Sequence, residues 1–103
     1  MNNFTPEAIV INNLQQKLYE EAELLHLVSK SFQVELHNDD VQAHELLETA
    51  LRHATHEFKE IGYELNSYGG VALMQSSISK ISESGFSITV IEHAWDGIGL
   101  WVV

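Results

Sequence analysis

After Ile11, the residues Leu14, Leu18, Leu25, Val28 and Phe32 recur at steps of three, four or seven, with Glu21 as the one break. Positions spaced in this way share one side of an α-helix and would be scattered over both faces of a strand. Seven-residue spacing held this long belongs to a helix packed along another helix. Leu24 and Leu27 widen the stripe, which predicts burial in a bundle rather than a narrow two-stranded coil. Thr5-Pro6-Glu7 supplies the start: Thr5 can cap, Pro6 fits the first helical position, and Glu7 favours the positive end of the helix dipole. A helix from Pro6 to Lys30 would be roughly 37 Å long at 1.5 Å per residue. That is long for a small domain and predicts a break or an overhanging end. Phe32, Val34 and Leu36 then alternate with Gln33 and Glu35, a pattern open to a short strand or to further helical turns. The reading adopted is a helix ending near Phe32 with an extended connection after it.

The second helix is expected to start at Asn38-Asp39-Asp40, where Asp39 and Gln42 have capping-box spacing. Leu47, Leu51, Ala54, Phe58 and Ile61 form its apolar stripe, and Gly62 supplies a stop. Tyr63 to Gly70 reads as a polar, glycine-bearing loop. A third helix follows with Val71, Met74, Ile78 and Ile81 facing inward, and Gly85 ends it. Phe86–His93 and Ile98–Val103 are rich in β-branched residues, and Asp96-Gly97 between them is a hairpin signal. In that register Trp95 pairs with Ile98, His93 with Leu100, and Glu92 with Trp101. Both faces of such a hairpin are largely apolar, whereas a two-stranded sheet packed on helices needs only one apolar face. The second would have to be covered by more of the chain, by another copy or by a partner. No internal repeat or low-complexity tract is present.

Charge is spread unevenly. Of 15 carboxylates, 12 lie between Glu7 and Glu64, and from Asn66 onward only Lys80, Glu83, Glu92 and Asp96 are charged. The formal charge of −10 would be repelled by phosphate backbones and anionic lipid, which disfavours nucleic acid and membrane and allows a basic protein partner. With 103 residues and no cysteine, the sequence reads as one domain over 1–103 without disulfides, Cys-based zinc sites or thiol chemistry. No basic stretch with an apolar core opens the chain, and no apolar run reaches the ~18 residues of a membrane span. The cytoplasm is therefore the expected compartment.

His53, His56, Glu57 and Glu60 share one face of the second helix, and Glu23 with His26 has the Glu-x-x-His spacing of di-iron bundles. Such sites need two copies of that motif and two more inward glutamates, so these residues read as a solvated polar face, and no metal, cofactor or catalytic residue is assigned. His44 lies on the extension of the apolar stripe and is expected to be partly buried and hydrogen-bonded. Ser76, Ser77, Ser79, Ser82 and Ser84 lack a nucleophile elbow and read as lying mostly on the outer side of the third helix. Tyr68-Gly69-Gly70 precedes that helix without the lysine of a phosphate loop, so its glycines read as flexibility or close packing. Trp101 is expected in the core. Trp95, Asp96, Ile98 and Leu100 are the candidate binding residues, because tryptophan anchors interfaces and Gly99 leaves a gap in a strand.

Glu21-Ala-Glu-Leu-Leu-His-Leu-Val28 resembles part of the first helix of the DNase-colicin immunity proteins, small acidic helical inhibitors of a basic nuclease. The family's aspartate-to-paired-tyrosine motif is absent, and a C-terminal hairpin does not belong to that fold, so membership is not assigned. What the resemblance implies is that an acidic chain can act by masking a basic site. The sequence as a whole reads as an α+β domain, three helices followed by a C-terminal β-hairpin. Its expected role is that of a non-enzymatic protein-interaction module that self-associates, as a homodimer or other homo-oligomer, through the hairpin. The alternatives are an acidic inhibitor of the immunity-protein or DNA-mimic type and a metal-binding helical protein.

Overall fold

The seam is used as its spacing requires. In the computed structural model, which describes residues 5–35 and 41–102, α1 spans Pro6–Glu35. The Ala8 amide donates to Thr5 Oγ1 at 3.1 Å, the expected cap. Leu14 and Leu18 are buried, and Ala22 carries the seam past Glu21 to half-buried Leu25 and Val28. Two expectations change. The helix continues through Phe32 to Glu35 instead of giving way to an extended connection, while Leu36 lies outside the described residues. Leu24 and Leu27 do not widen the buried stripe; both are exposed.

The second helix, α2, spans Val41–Glu83, and the expected cap at Asn38-Asp39-Asp40 lies outside the described residues. Gly62 does not stop it, and Tyr63–Gly70 is not a loop. The stripe of Ala54, Phe58 and Ile61 continues to Leu65, also buried, so a further turn of helix gains burial that a loop would forgo. The break comes at Gly70, whose φ of 65° and ψ of −161° are non-helical. Only glycine adopts that region at low cost. In one straight helix, 43 residues would span about 64 Å, beyond the 56 Å longest extent of the molecule. The bend at Gly70 instead returns the chain along α1. On the first arm of α2, Lys17 meets Glu57, and Leu24 and Val28 lie beside Ala50, so this arm runs antiparallel to α1. On the second arm, Gln15 meets Ser77 and Lys80, and just beyond that arm Phe86 meets the Tyr19 and His26 rings at a tilt, so that arm runs parallel. Met74, Ile78 and Ile81 point inward from it as expected.

The C-terminal hairpin is absent: no strand occurs among the described residues, and the fold is all-helical rather than α+β. The segment read as its first strand, Phe86–His93, overlaps α3, Thr89–Trp95. Ile91, Ala94 and Trp95 are spaced i, i+3 and i+4, and all three are buried. The β-branched residues masked this helical stripe, and tertiary burial outweighs a modest propensity difference. Asp96-Gly97 does turn the chain, but with the wrong hand for a hairpin. Asp96 (φ −55°, ψ 127°) and Gly97 (φ 85°), with the Ile98 amide bonded to the Trp95 carbonyl at 2.9 Å, form a type II turn. Two-residue hairpins use the mirror-image turns, whose twist matches paired strands.

Since a Cβ at Gly70 would meet no atom within 4 Å, its requirement is one of backbone conformation alone. Gly70→Ala is expected to cost about 1–3 kcal/mol and to lower the melting temperature by at least ~4 °C, followed by circular dichroism at 222 nm. An unchanged melt would contradict the bend.

Candidate protein-docking surface

The residues singled out around the turn do not form one surface. Trp95 is fully buried and Ile98 nearly so, whereas Asp96 is exposed and Leu100 is 79% exposed. Trp95 lies against Gly62, where a Cβ would collide with its indole ring, and its Nε1–H donates to the Phe58 carbonyl at 2.6 Å. Ile98 packs on the same glycine, and Gly99 sits against the Asn66 amide. The row Phe58, Gly62, Asn66 on α2 is thus the track on which the C-terminal segment lies. The Trp101 ring meets Trp95 edge-on with centroids 5.1 Å apart, and its Nε1–H donates to the Glu92 carbonyl at 3.2 Å. The expected neighbours Glu92 and Trp101 do approach, through an indole rather than a strand ladder.

The other candidates are dispersed. His53, His56 and Glu60 face solvent, while Glu57 pairs with Lys17 at 3.7 Å. Glu23 and His26 are exposed, the latter with its ring 5.0 Å from Phe86. His44 is exposed, not partly buried, because the buried residues of the α2 stripe begin at Ala54, more than two turns further on. Among the described residues, no three His, Asp or Glu side chains converge as metal ligands would. Ser77 departs from the other serines: it is buried, donates to the Leu73 carbonyl at 2.8 Å and accepts from Gln15 Nε2 at 3.0 Å. Ser76, Ser79, Ser82 and Ser84 are exposed.

What sequence reasoning missed is a groove of about 100 Å³ between α1 and the first arm of α2. Leu24, Leu25 and Val28 form one wall, Ala50 and Ala54 the other, with Glu21 and His53 the only polar residues lining it. The small alanines facing long aliphatic side chains create the space. Leu24 is 54% exposed, and Leu46, one turn before Ala50, is 61% exposed. One turn along the groove lies the Lys17–Glu57 pair, and exposed Glu60 and Glu64 follow it on the same side of α2. The available signal was the surplus of apolar residues on α1: Leu24 lies outside the seam that one row of partners can bury.

No family model, no curated protein and no solved structure matches this chain. No helix among the described residues is long and apolar enough to cross a membrane.

Trp95→Ala is expected to cost about 3–5 kcal/mol, a large share of the ~5–15 kcal/mol that stabilises a domain. Leu100→Ala should stay within about 0.5 kcal/mol of the parent. Urea unfolding of both variants checks this; equal midpoints would place Trp95 outside the core.

Proposed function

We propose that this chain is a non-enzymatic protein-interaction module whose docking surface is the α1–α2 groove. The observation that carries the reading is an open, almost wholly apolar trough lined by exposed Leu24, with exposed Leu46 one turn before Ala50 on α2. Contiguous exposed apolar surface of this kind marks interaction sites in otherwise polar proteins. The groove replaces the C-terminal hairpin as the proposed surface, since self-association through a spare sheet face has no sheet to rest on. The cytoplasm is the compartment proposed with it.

A second reading is an acidic inhibitor that masks a basic, nucleic-acid-binding surface. It is supported by the scarcity of internal neutralisation: among the described residues, the ion pairs are Lys17–Glu57 and Arg52–Glu48, and the chain carries 15 carboxylates. The two readings differ in their response to salt. Apolar docking survives high ionic strength, whereas charge masking weakens steeply as counterions compete.

A photo-reactive benzophenone side chain at position 24 checks the proposal in the native cell. The expected result is one discrete adduct heavier than the chain, formed from position 24 and not from position 100, and found in the cytoplasmic fraction. No adduct from position 24, or the same adducts from both positions, would contradict the groove as the docking surface.

A further inference from the structure

We infer that the occupant of the groove is an amphipathic helix that carries lysine or arginine on the side facing the α2 carboxylates. This inference rests on the groove being the docking site, and it adds the chemistry of the partner. The apolar lining around Ala50 and Ala54 has room for one large side chain, which sets an anchor. Along α2 from that anchor come Glu57, Glu60 and Glu64, at helical steps of three and four on one side, while Glu21 of α1 lines the anchor itself beside His53 and Ala54. The one cation in this row is Lys17, already committed to Glu57 at 3.7 Å. Arg52 and Lys59 project roughly 100° or more away from the His53–Glu57 row, and Arg52 pairs with Glu48 at 3.6 Å. The groove lining is therefore largely apolar, and the α2 row that continues beyond it is negative.

A helix is the element that fits. Its backbone polar groups are satisfied internally, and no sheet edge exists among the described residues for a strand to join. Laid on the open side of the α1–α2 pair, it completes a layer opposite the second arm of α2 and α3. Glu57 to Glu64 lie roughly 7–18 Å along α2 from the anchor at 1.5 Å per residue. The partner's cations then fall about five to twelve residues from its apolar anchor. A second copy of this chain is the wrong occupant: its own groove would set the same carboxylates against these, in a chain of formal charge −10.

Two synthetic peptides of about five helical turns, with one leucine stripe and either lysine or glutamate elsewhere, test this by fluorescence anisotropy. The lysine peptide is expected to bind, and the glutamate peptide at least about tenfold more weakly. Ala50→Lys, which fills and charges the groove, should weaken the lysine peptide by about tenfold or more. Leu24→Gln, at an exposed position where refolding is not in question, should weaken it in the same direction. The triple change Glu57→Gln, Glu60→Gln, Glu64→Gln should flatten its salt dependence, and Leu100→Gln should leave it unchanged. Equal groove-dependent binding of both peptides would overturn the basic partner while leaving the groove as a docking site. Lysine-peptide binding indifferent to Ala50→Lys and Leu24→Gln would overturn the groove as its seat. Binding of neither peptide would also overturn this inference, and the cross-link from position 24 decides the groove independently.

Discussion

The fold depends on one tryptophan reaching the backbone of a helix. An indole can donate to a helical carbonyl only where the side chain four residues on does not stand in the way. Gly62 removes that side chain from the turn after Phe58, and Trp95 occupies the vacated space with its Nε1–H on the Phe58 oxygen. The ring is fully buried and its one polar atom is satisfied, so little of the hydrophobic gain is spent on an orphaned donor. Ile98 on the same glycine and Trp101 edge-on to Trp95 extend this contact along the last residues described.

Docking of the C-terminal segment decides which side of the molecule is closed. The second arm of α2, returned by the bend at Gly70, and α3 cover one side of the α1–α2 pair. The groove of Leu24, Val28 and Ala50 lies on the side they leave open. The residues that close the core and the residues proposed for docking are thus on different sides of the α1–α2 pair. From the sparsely charged C-terminal third, which looked adhesive, Ile91, Trp95, Ile98 and Trp101 are folded into the core, while Leu100 and Val102 stay exposed. The surplus leucines of the acidic helices remain at the surface. With the hairpin gone, one obstacle to the immunity-protein resemblance disappears, but the missing aspartate–tyrosine motif and the lack of any matching family leave it an analogy of charge alone.

Much of the helical frame was legible because periodicity over many residues admits few solutions. Thr5 as a cap, the Leu14–Leu18–Leu25 seam and the Met74–Ile78–Ile81 stripe all follow from spacing. Errors arose where one residue type has several uses. Gly62 served close packing and not termination, a difference set by a tryptophan 33 positions later. Gly70, read as part of a loop, is the whole of the bend. In Phe86–Trp95 the β-branched content pointed to a strand while Ile91, Ala94 and Trp95 held a helical step, and burial selected the helix. Of the candidate binding residues, Trp95 and Ile98 share composition with an interface anchor, and only the Gly62 notch shows that they are spent inside. The groove was illegible because it is defined by the smallness of Ala50 and Ala54 opposite Leu24, a relation between helices.

The central claim is that Trp95 sits in the Gly62 notch at the end of a short helix. A nuclear Overhauser spectrum of the intact chain tests it most directly. The account predicts cross-peaks from the Trp95 indole N–H and ring to the Gly62 α-protons, with sequential amide–amide contacts through Thr89–Trp95. Cross-strand α-proton contacts between Glu92 and Trp101, with no Trp95–Gly62 cross-peak, would contradict it.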